Sequence, residues 1–463
     1  AAWLEQVATD RAATAELIAH HYTSALDLET ALGNVSDTLR AAGLGALVDA
    51  ARQAATRHDH AGVMRYTGTA LALLPDPPLR AELVARRAIA GYSAGNPDGS
   101  VLVEARDVAV ANGRVEDAVH ITCLLRQWAE YYATDAEQAN AYDAEALTLA
   151  ADLPPGPIGS LPAYQHAYHL VMIGSNEEAI AFADKEISRA IEAGADSAVG
   201  LMLIWRGAAR VEINDERGIA DLREGVRILD EQAHPKAAVA AYNLADVLQG
   251  LGRLREASIA VETSIATAHR YGDANAKDTT ECGRAMLEFH RGERDAAFAT
   301  LDGVSADTSE WVFSLVWEVR GRLILDEAPQ DSAVAARRHL AYARRVANIE
   351  AECNALALLA RAELALGDET AARSSLDQYL EVWKRMGGVM TCSRSLVEVG
   401  LVLVACERHD DLAVAANLLR TPTPWTAAAH ALAEGRYADA AAILDSIPSI
   451  PLRDAALALA GSR

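Results

Sequence analysis

The sequence predicts an all-α protein, a right-handed superhelical solenoid of antiparallel helix hairpins. Three observations predict it. First, Gly174, Gly252, Gly292, Gly367 and Gly435 are each followed five residues later by alanine, at Ala179, Ala257, Ala297, Ala372 and Ala440. Second, alanine also stands seven residues before each of these glycines, at Ala167, Ala245, Ala285, Ala360 and Ala428. Third, the chain is 51% apolar but only 5% aromatic, alanine leads the apolar residues, and no sustained Val/Ile/Thr alternation marks a strand.

The pattern has a physical cause. Glycine takes the left-handed conformation that ends a helix at little cost. A small residue on each arm near the turn lets the two backbones approach. Nine positions past four of the glycines stand Val261, Leu301, Leu376 and Leu444, suited to a hairpin core. Gly252 and Gly292 lie 40 residues apart. Gly292 and Gly367 lie 75 apart, close to two periods, and Pro329-Gln330-Asp331 supplies a glycine-free turn between them. Asn214-Asp215-Glu216 supplies another, about one period after Gly174. The period lies between the roughly 34 residues of tetratricopeptide repeats and the roughly 47 of longer helical hairpins. Gly113 is ambiguous, with Ala118 five later but Arg106 seven before.

Read in order, residues 1–34 form a helical junction, with the end of an upstream domain as one reading. Leu17, Ile18, Leu26 and Leu28 are among its apolar positions, and Gly33-Asn34 ends it. Residues 35–152 read as N-terminal helical repeats, with Ser36 or Asp37 as the first cap, a turn near His58-Asp59-His60 and a break at Pro75-Asp76-Pro77-Pro78. Leu153-Pro154-Pro155-Gly156-Pro157 is the strongest break in the chain. Residues 153–463 read as C-terminal repeats, interrupted at Thr421-Pro422-Thr423-Pro424 and ending in a cap near Leu452 to Ala460.

Composition limits function. Net charge is −23, and the only lysines are Lys185, Lys236, Lys277 and Lys384. Binding to a phosphate backbone needs a basic surface, so neither nucleic acid nor an anionic membrane is expected as a direct partner. Cys123, Cys282, Cys353, Cys392 and Cys406 are scattered, with no C-x-x-C pair, which suits free thiols in a reducing compartment. With no signal-peptide pattern and no apolar run of membrane-spanning length, a cytoplasmic location is expected. The chain opens at Ala1 and is expected to be a piece of something longer.

Candidate chemistry is sparse. Gly91-Tyr92-Ser93-Ala94-Gly95 matches G-x-S-x-G, but the nucleophile elbow needs a strand before the serine, and Glu82 to Ala90 reads as helix. His20 and His21 are adjacent on a helix and point apart, and His58 and His60 lack further ligands nearby, so no metal site is expected. No catalytic residue and no cofactor is assigned. The aromatic spacing says more. Ten residues before four turns stand Tyr164, Trp205, Tyr242 and Trp425, and Tyr168 follows Tyr164 on the same helical face. Arg206 and Asn243 stand beside two of them. These rings either pack inside the hairpins or form a row on the concave face. On the second reading Tyr164, Tyr168, Trp205, Arg206, Tyr242 and Asn243 would hold a peptide or an organic ligand. Trp128, Tyr131 and Tyr132 form a second cluster with the same two readings.

Two N-terminal stretches carry a resemblance. One is Ala1-Ala2-Trp3-Leu4-Glu5 with Ala15-Glu16-Leu17-Ile18-Ala19-His20-His21-Tyr22. The other is Asp59-His60-Ala61 with Ala70-Leu71-Ala72-Leu73-Leu74-Pro75. Together they resemble the junction between the ATPase and repeat regions of STAND-type signalling ATPases, including actinobacterial nucleotide cyclases and transcription regulators with tetratricopeptide or MalT-like repeats. The resemblance implies a regulatory module that senses a protein, peptide or small-molecule effector and controls an upstream ATPase domain in the same polypeptide. The chain itself has no G-x-x-x-x-G-K-S/T phosphate loop and no C-terminal helix-turn-helix pattern. A free-standing scaffold for protein complex assembly is the alternative.

Overall fold

The computed structural model describes residues 11–33, 36–95, 97–215 and 217–461, together with Ala1 and Trp3. Of the positions singled out above, Ala2, Leu4, Glu5, Asn34 and Glu216 lie outside the described residues. Among those described there are 24 α-helices and no strand. Residues fall into two compact units. One holds 1–129, 138–153 and 269–274, and the other holds 130–137, 154–268 and 275–463.

The first unit is built from α1 (Arg11–Ala31), α2 (Asp37–Thr56), α3 (His60–Ala72), α4 (Pro77–Ser93), α5 (Gly99–Ala111), α6 (Val115–Trp128) and α7 (Ala136–Leu149), and within α1 to α6 each helix packs against the next in sequence. Ser36, Asp59 and Asp76 cap α2, α3 and α4 through their side chains. Gly113 has φ +67° and joins α5 to α6, so this ambiguous glycine closes a hairpin. Ser93 is the last residue of α4, with helix before it where a nucleophile elbow needs a strand.

The second unit continues with α8 (Leu161–Met172), α9 (Asn176–Glu192), α10 (Asp196–Glu212), α11 (Arg217–Glu231), α12 (Ala237–Gly250), α13 (Leu254–Tyr271), α14 (Ala274–His290), α15 (Arg294–Asp302) and α16 (Glu310–Ile324). It is completed by α17 (Pro329–Arg345), α18 (Ile349–Ala365), α19 (Glu369–Met386), α20 (Ser393–Ala405), α21 (His409–Ala416), α22 (Pro424–Ala433), α23 (Tyr437–Ser446) and α24 (Ile450–Gly461). The five repeat glycines all have φ between +70° and +79°. Their turns close alike. Arg253 N–H donates to Leu248 O at 2.8 Å and Gly252 N–H to Gln249 O at 2.9 Å, the six-to-one bond of a Schellman ending with a tighter bond inside it. All ten arm alanines are fully buried, as are Leu376 and Leu444.

This unit coils back on itself. Glu212 at the end of α10 accepts from the backbone just before α20. Trp425 Nε1 at the start of α22 donates to Gln249 O in α12 at 2.9 Å. His290 Nδ1, ending α14, lies 3.0 Å from Ser449 Oγ just before α24. Each pairing joins helix n to helix n+10, so the coil returns after five hairpins. Glycine makes the return possible at Gly250, where a Cβ would sit 2.7 Å from Thr391 Cα and 3.0 Å from Met390 O.

Candidate functional site

The first helices of successive hairpins bring a polar cluster together in the second unit. Glu318 and Arg322 sit one helical turn apart on α16, and Arg394 and Glu398 do so on α20. Arg322 grips Glu398 through two parallel bonds, Nε to Oε1 at 2.8 Å and Nη2 to Oε2 at 3.0 Å, with both side chains fully buried. Arg322 Nη1 also donates to Glu318 Oε1 at 3.1 Å, and Arg394 Nη2 reaches the same oxygen at 2.9 Å. His339 Nε2 lies 3.5 Å from Glu318 Oε2, while its Nδ1 meets Ser314 Oγ at 2.6 Å. Burial is the largest influence on Glu318 and Glu398 and opposes their ionisation, yet the surrounding cations, Arg322 foremost with Arg394 and, for Glu398, Arg361, together outweigh it and hold both carboxyls below their ordinary range. Burial pushes His339 down to about 4, so the ring is neutral at pH 7.

Three further carboxyls face this network without such compensation. Glu212 accepts from Met390 N–H at 2.8 Å, Thr391 N–H at 3.2 Å and Thr391 Oγ1 at 3.1 Å, but burial still raises its pKa. Asp246 on α12 is raised to about 7, first by burial and then by the charges of Glu318 and Glu212, with Arg394 opposing. Glu350 on α18 is raised well above its ordinary value by burial, then by Asp246 and Glu212. Among the described residues neither the Asp246 nor the Glu350 carboxyl has a hydrogen bond or an ion pair, and both residues keep part of their surface open. Asn354 Oδ1, one turn along α18 from Glu350, is buried and has no partner. Asn243 Nδ2 and Arg394 Nε are buried and unpartnered as well.

The six residues suggested by the aromatic spacing divide between two places. Tyr164 and Tyr168 pack their rings 5.6 and 5.0 Å from Trp205, and Tyr164 and Trp205 are buried. Arg206 is turned to its own neighbours, bidentate to Asp221 at 2.8 Å and bonded to Asp184 at 2.7 Å. Tyr242 and Asn243 lie on α12 four and three residues before Asp246, on the face that carries the unpaired carboxyl. Trp128 belongs elsewhere. With Gly99, Val103, Asp107 and Tyr142 it lines a groove of about 760 Å³ in the first unit.

Sequence reasoning missed Glu212, Asp246, Glu318, Glu350 and Arg394. A signal was present. Asp246 stands between Leu244-Ala245 and Val247-Leu248, and Glu318 and Glu398 interrupt apolar stretches of α16 and α20. Single charges in otherwise apolar helical runs are costly unless something answers them.

No protein-family model matches the chain, and no curated protein matches it in sequence. Among solved structures it is similar to yeast Tom70, at 10% identity and a TM-score of 0.36, over 95% of this chain and 96% of that one. It is also similar to a circular tandem repeat protein with novel repeat topology, at 14% identity and a TM-score of 0.15, over 90% of this chain and 93% of the other. The all-α hairpin architecture is read from the chain's own helices. Among the described residues no helix is long and apolar enough to cross a membrane, and all five cysteines are buried with none in a disulfide.

Proposed function

We propose that the chain is a non-catalytic regulatory module that binds a protein, peptide or small-molecule effector, as the C-terminal sensor region of a STAND-type signalling ATPase. The observation that carries the binding reading is the set of polar groups left without partners in the second unit, Asp246, Glu350 and Asn354 Oδ1. Such groups cost stability and contribute nothing to the fold by themselves. The N-terminal resemblance supports the ATPase context. The mechanism is differential binding. An effector that prefers one curvature of the coil shifts the equilibrium of an attached domain by as much as its affinities for the two states differ.

The test is the size of the native polypeptide in source cells, measured with an antibody against this chain, with ATP hydrolysis measured on the isolated chain. A product much larger than 463 residues and an inactive isolated chain support the reading. A product of matching length overturns the ATPase-linked sensor, and specific ATP turnover overturns the non-catalytic module.

A further inference from the structure

The groove of about 760 Å³ in the first unit runs beside one helix for its whole length. It touches α5 from Gly99 to Ala111, about 18 Å at 1.5 Å per residue. Val103 and Val108 give that wall an apolar base, with Glu104 and Asp107 beside them. Trp128, the last residue of α6, and Tyr142 of α7 add two aromatic rings. Both are half-buried and rest on the core that holds Leu102, Ala105, Ile121 and Leu125. Gly99 lets the indole come close, since a Cβ there would stand 2.5 Å from Trp128 Cζ2. Packing of three helices therefore fixes the lining.

The lining offers both donors and a carboxylate. Among the described residues neither the Trp128 indole N–H nor the Tyr142 hydroxyl has a hydrogen-bond partner, and neither polar atom is sealed from solvent. Glu104 is exposed, and its carboxylate has no hydrogen bond and no ion pair among those residues. Asp107 is answered by Arg106, which does not line the groove. Arg106 Nε donates to Asp107 at 2.8 Å, and its Nη1 donates to Glu145 at 2.9 Å. No lysine, arginine or histidine lines the groove among the described residues.

A matching occupant brings acceptors for the two donors, a cation for Glu104 and apolar groups for the valines and rings. A peptide has all three, with a carbonyl oxygen at every residue and basic and apolar side chains. An extended segment of about six residues covers about 18 Å. A small organic cation brings the charge alone and leaves most of that length uncovered. Nucleic acid carries the wrong charge for these carboxylates.

We propose that this groove binds an extended segment of a partner protein, rich in basic and apolar residues. A basic side chain pairs with Glu104, apolar side chains cover Val103, Val108 and Trp128, and main-chain carbonyls accept from Trp128 Nε1 and the Tyr142 hydroxyl. The proposal rests on the effector-binding reading and narrows the effector to a basic peptide, at a site that uses none of the second unit's unpaired groups.

The probe is a fluorescein-labelled octapeptide of alternating leucine and arginine, titrated with the full chain and read by fluorescence anisotropy at about 0.15 M salt. One twin peptide carries glutamate for arginine, and another carries serine for leucine. The chain is compared with E104R and with E192R, which makes the same charge change at an exposed residue ending α9, outside the groove. Both substitutions are at exposed positions, and a wild-type unfolding midpoint confirms that each variant is folded. The expected result is saturable binding of the probe, at least about five-fold weaker in E104R and within about two-fold of wild type in E192R. The glutamate twin is expected not to bind, and the serine twin to bind at least about ten-fold more weakly.

Absence of saturable binding up to about 100 μM chain overturns the proposal. So does equal weakening in E104R and E192R, which assigns the binding to the general acidity of the chain. Equal affinity for the serine twin overturns the apolar base, and displacement of the probe by about 10 mM tetramethylammonium, but not by sodium, replaces the peptide with a small organic cation. None of these outcomes touches the native size or the ATP inactivity that decide the broader reading.

Discussion

The Arg322–Glu398 pair offers the sharpest test of how the coil is held. Substituting Glu398 by glutamine keeps the shape of the side chain and removes its charge. Both partners are fully buried, so the Arg322 guanidinium cannot turn to water. Its remaining carboxylate, Glu318 at 3.1 Å, is shared with Arg394. Breaking one side of a buried pair costs about 3–5 kcal/mol, and the surviving Glu318 contact places the expected cost near the lower end, about 3 kcal/mol. Urea unfolding followed by tryptophan fluorescence is a suitable assay, because Trp205, Trp311, Trp317, Trp383 and Trp425 all lie in this unit. With a slope near 3 kcal/mol per molar urea the midpoint falls by about 1 M. The companion variant R322M/E398L replaces the pair by apolar groups and is expected to recover most of the loss, since no charge is then stranded. A midpoint within about 0.2 M of wild type for E398Q refutes the reasoning. So does an R322M/E398L variant as unstable as E398Q, because the cost would then lie in packing.

Two further outcomes follow from the same structure. The unit is expected to lose stability as pH rises from about 6.5 to 7.5. The folded pKa of Asp246 is raised to about 7, so the native state holds a proton there that the unfolded chain has already released. His339, lowered to about 4, and His290, pushed well below its ordinary value by burial, act with the opposite sign, but only below about 6.5, where the unfolded imidazole begins to charge. Unfolding midpoints across this window should therefore slope downward in wild type and flatten in D246N; an unchanged slope assigns it to other groups. Gly218→Ala should destabilise by about 1–3 kcal/mol, because a Cβ there would stand 2.5 Å from Gly207 O and 2.9 Å from Val211 N, backbone atoms that cannot swing away. Gly45→Ala, with nothing within 4 Å of the new Cβ, should stabilise by about 0.5–1 kcal/mol, and equal effects of the two substitutions in a thermal melt would show that the close approach of α10 and α11 is not real.

The hairpins were legible because their determinants are local. A turn needs one residue at positive φ and two small residues within seven positions of it, and Gly252 with Ala245 and Ala257 states this in thirteen residues of sequence. Asn214, predicted as a glycine-free turn, does take φ +63°, which an asparagine side chain tolerates. Ala233, Ala347 and Glu407 take the same conformation with no residue-type signal, because packing of the flanking helices imposes it. The polar cluster was not legible for a different reason. It depends on contacts such as Arg322 with Glu398, 76 positions apart, and Glu212 with Met390, 178 apart. The first spans two hairpins, and the second exists only because the coil returns after five, a number set by the sum of many small inter-hairpin rotations which no single residue encodes.

The return of the coil also explains why polar residues there had to be resolved in some way. In a wide solenoid the first helices face open water, and a glutamate on them costs little. When the coil closes tightly, the same faces meet across a narrow interior and each charge loses hydration. Arg322, Glu398, Glu318 and Arg394 meet that demand by pairing with one another. Asp246 and Glu350 do not, although an alanine or leucine at either place would suit α12 and α18 and their apolar neighbours. A chain whose arm alanines are all fully buried is well fitted elsewhere. Local rules that agree along the whole array and fail together at one place mark that place as one where something other than stability was selected. On this argument Asp246, Glu350 and Asn354 are the residues whose substitution should change what the chain binds while leaving its hairpins intact.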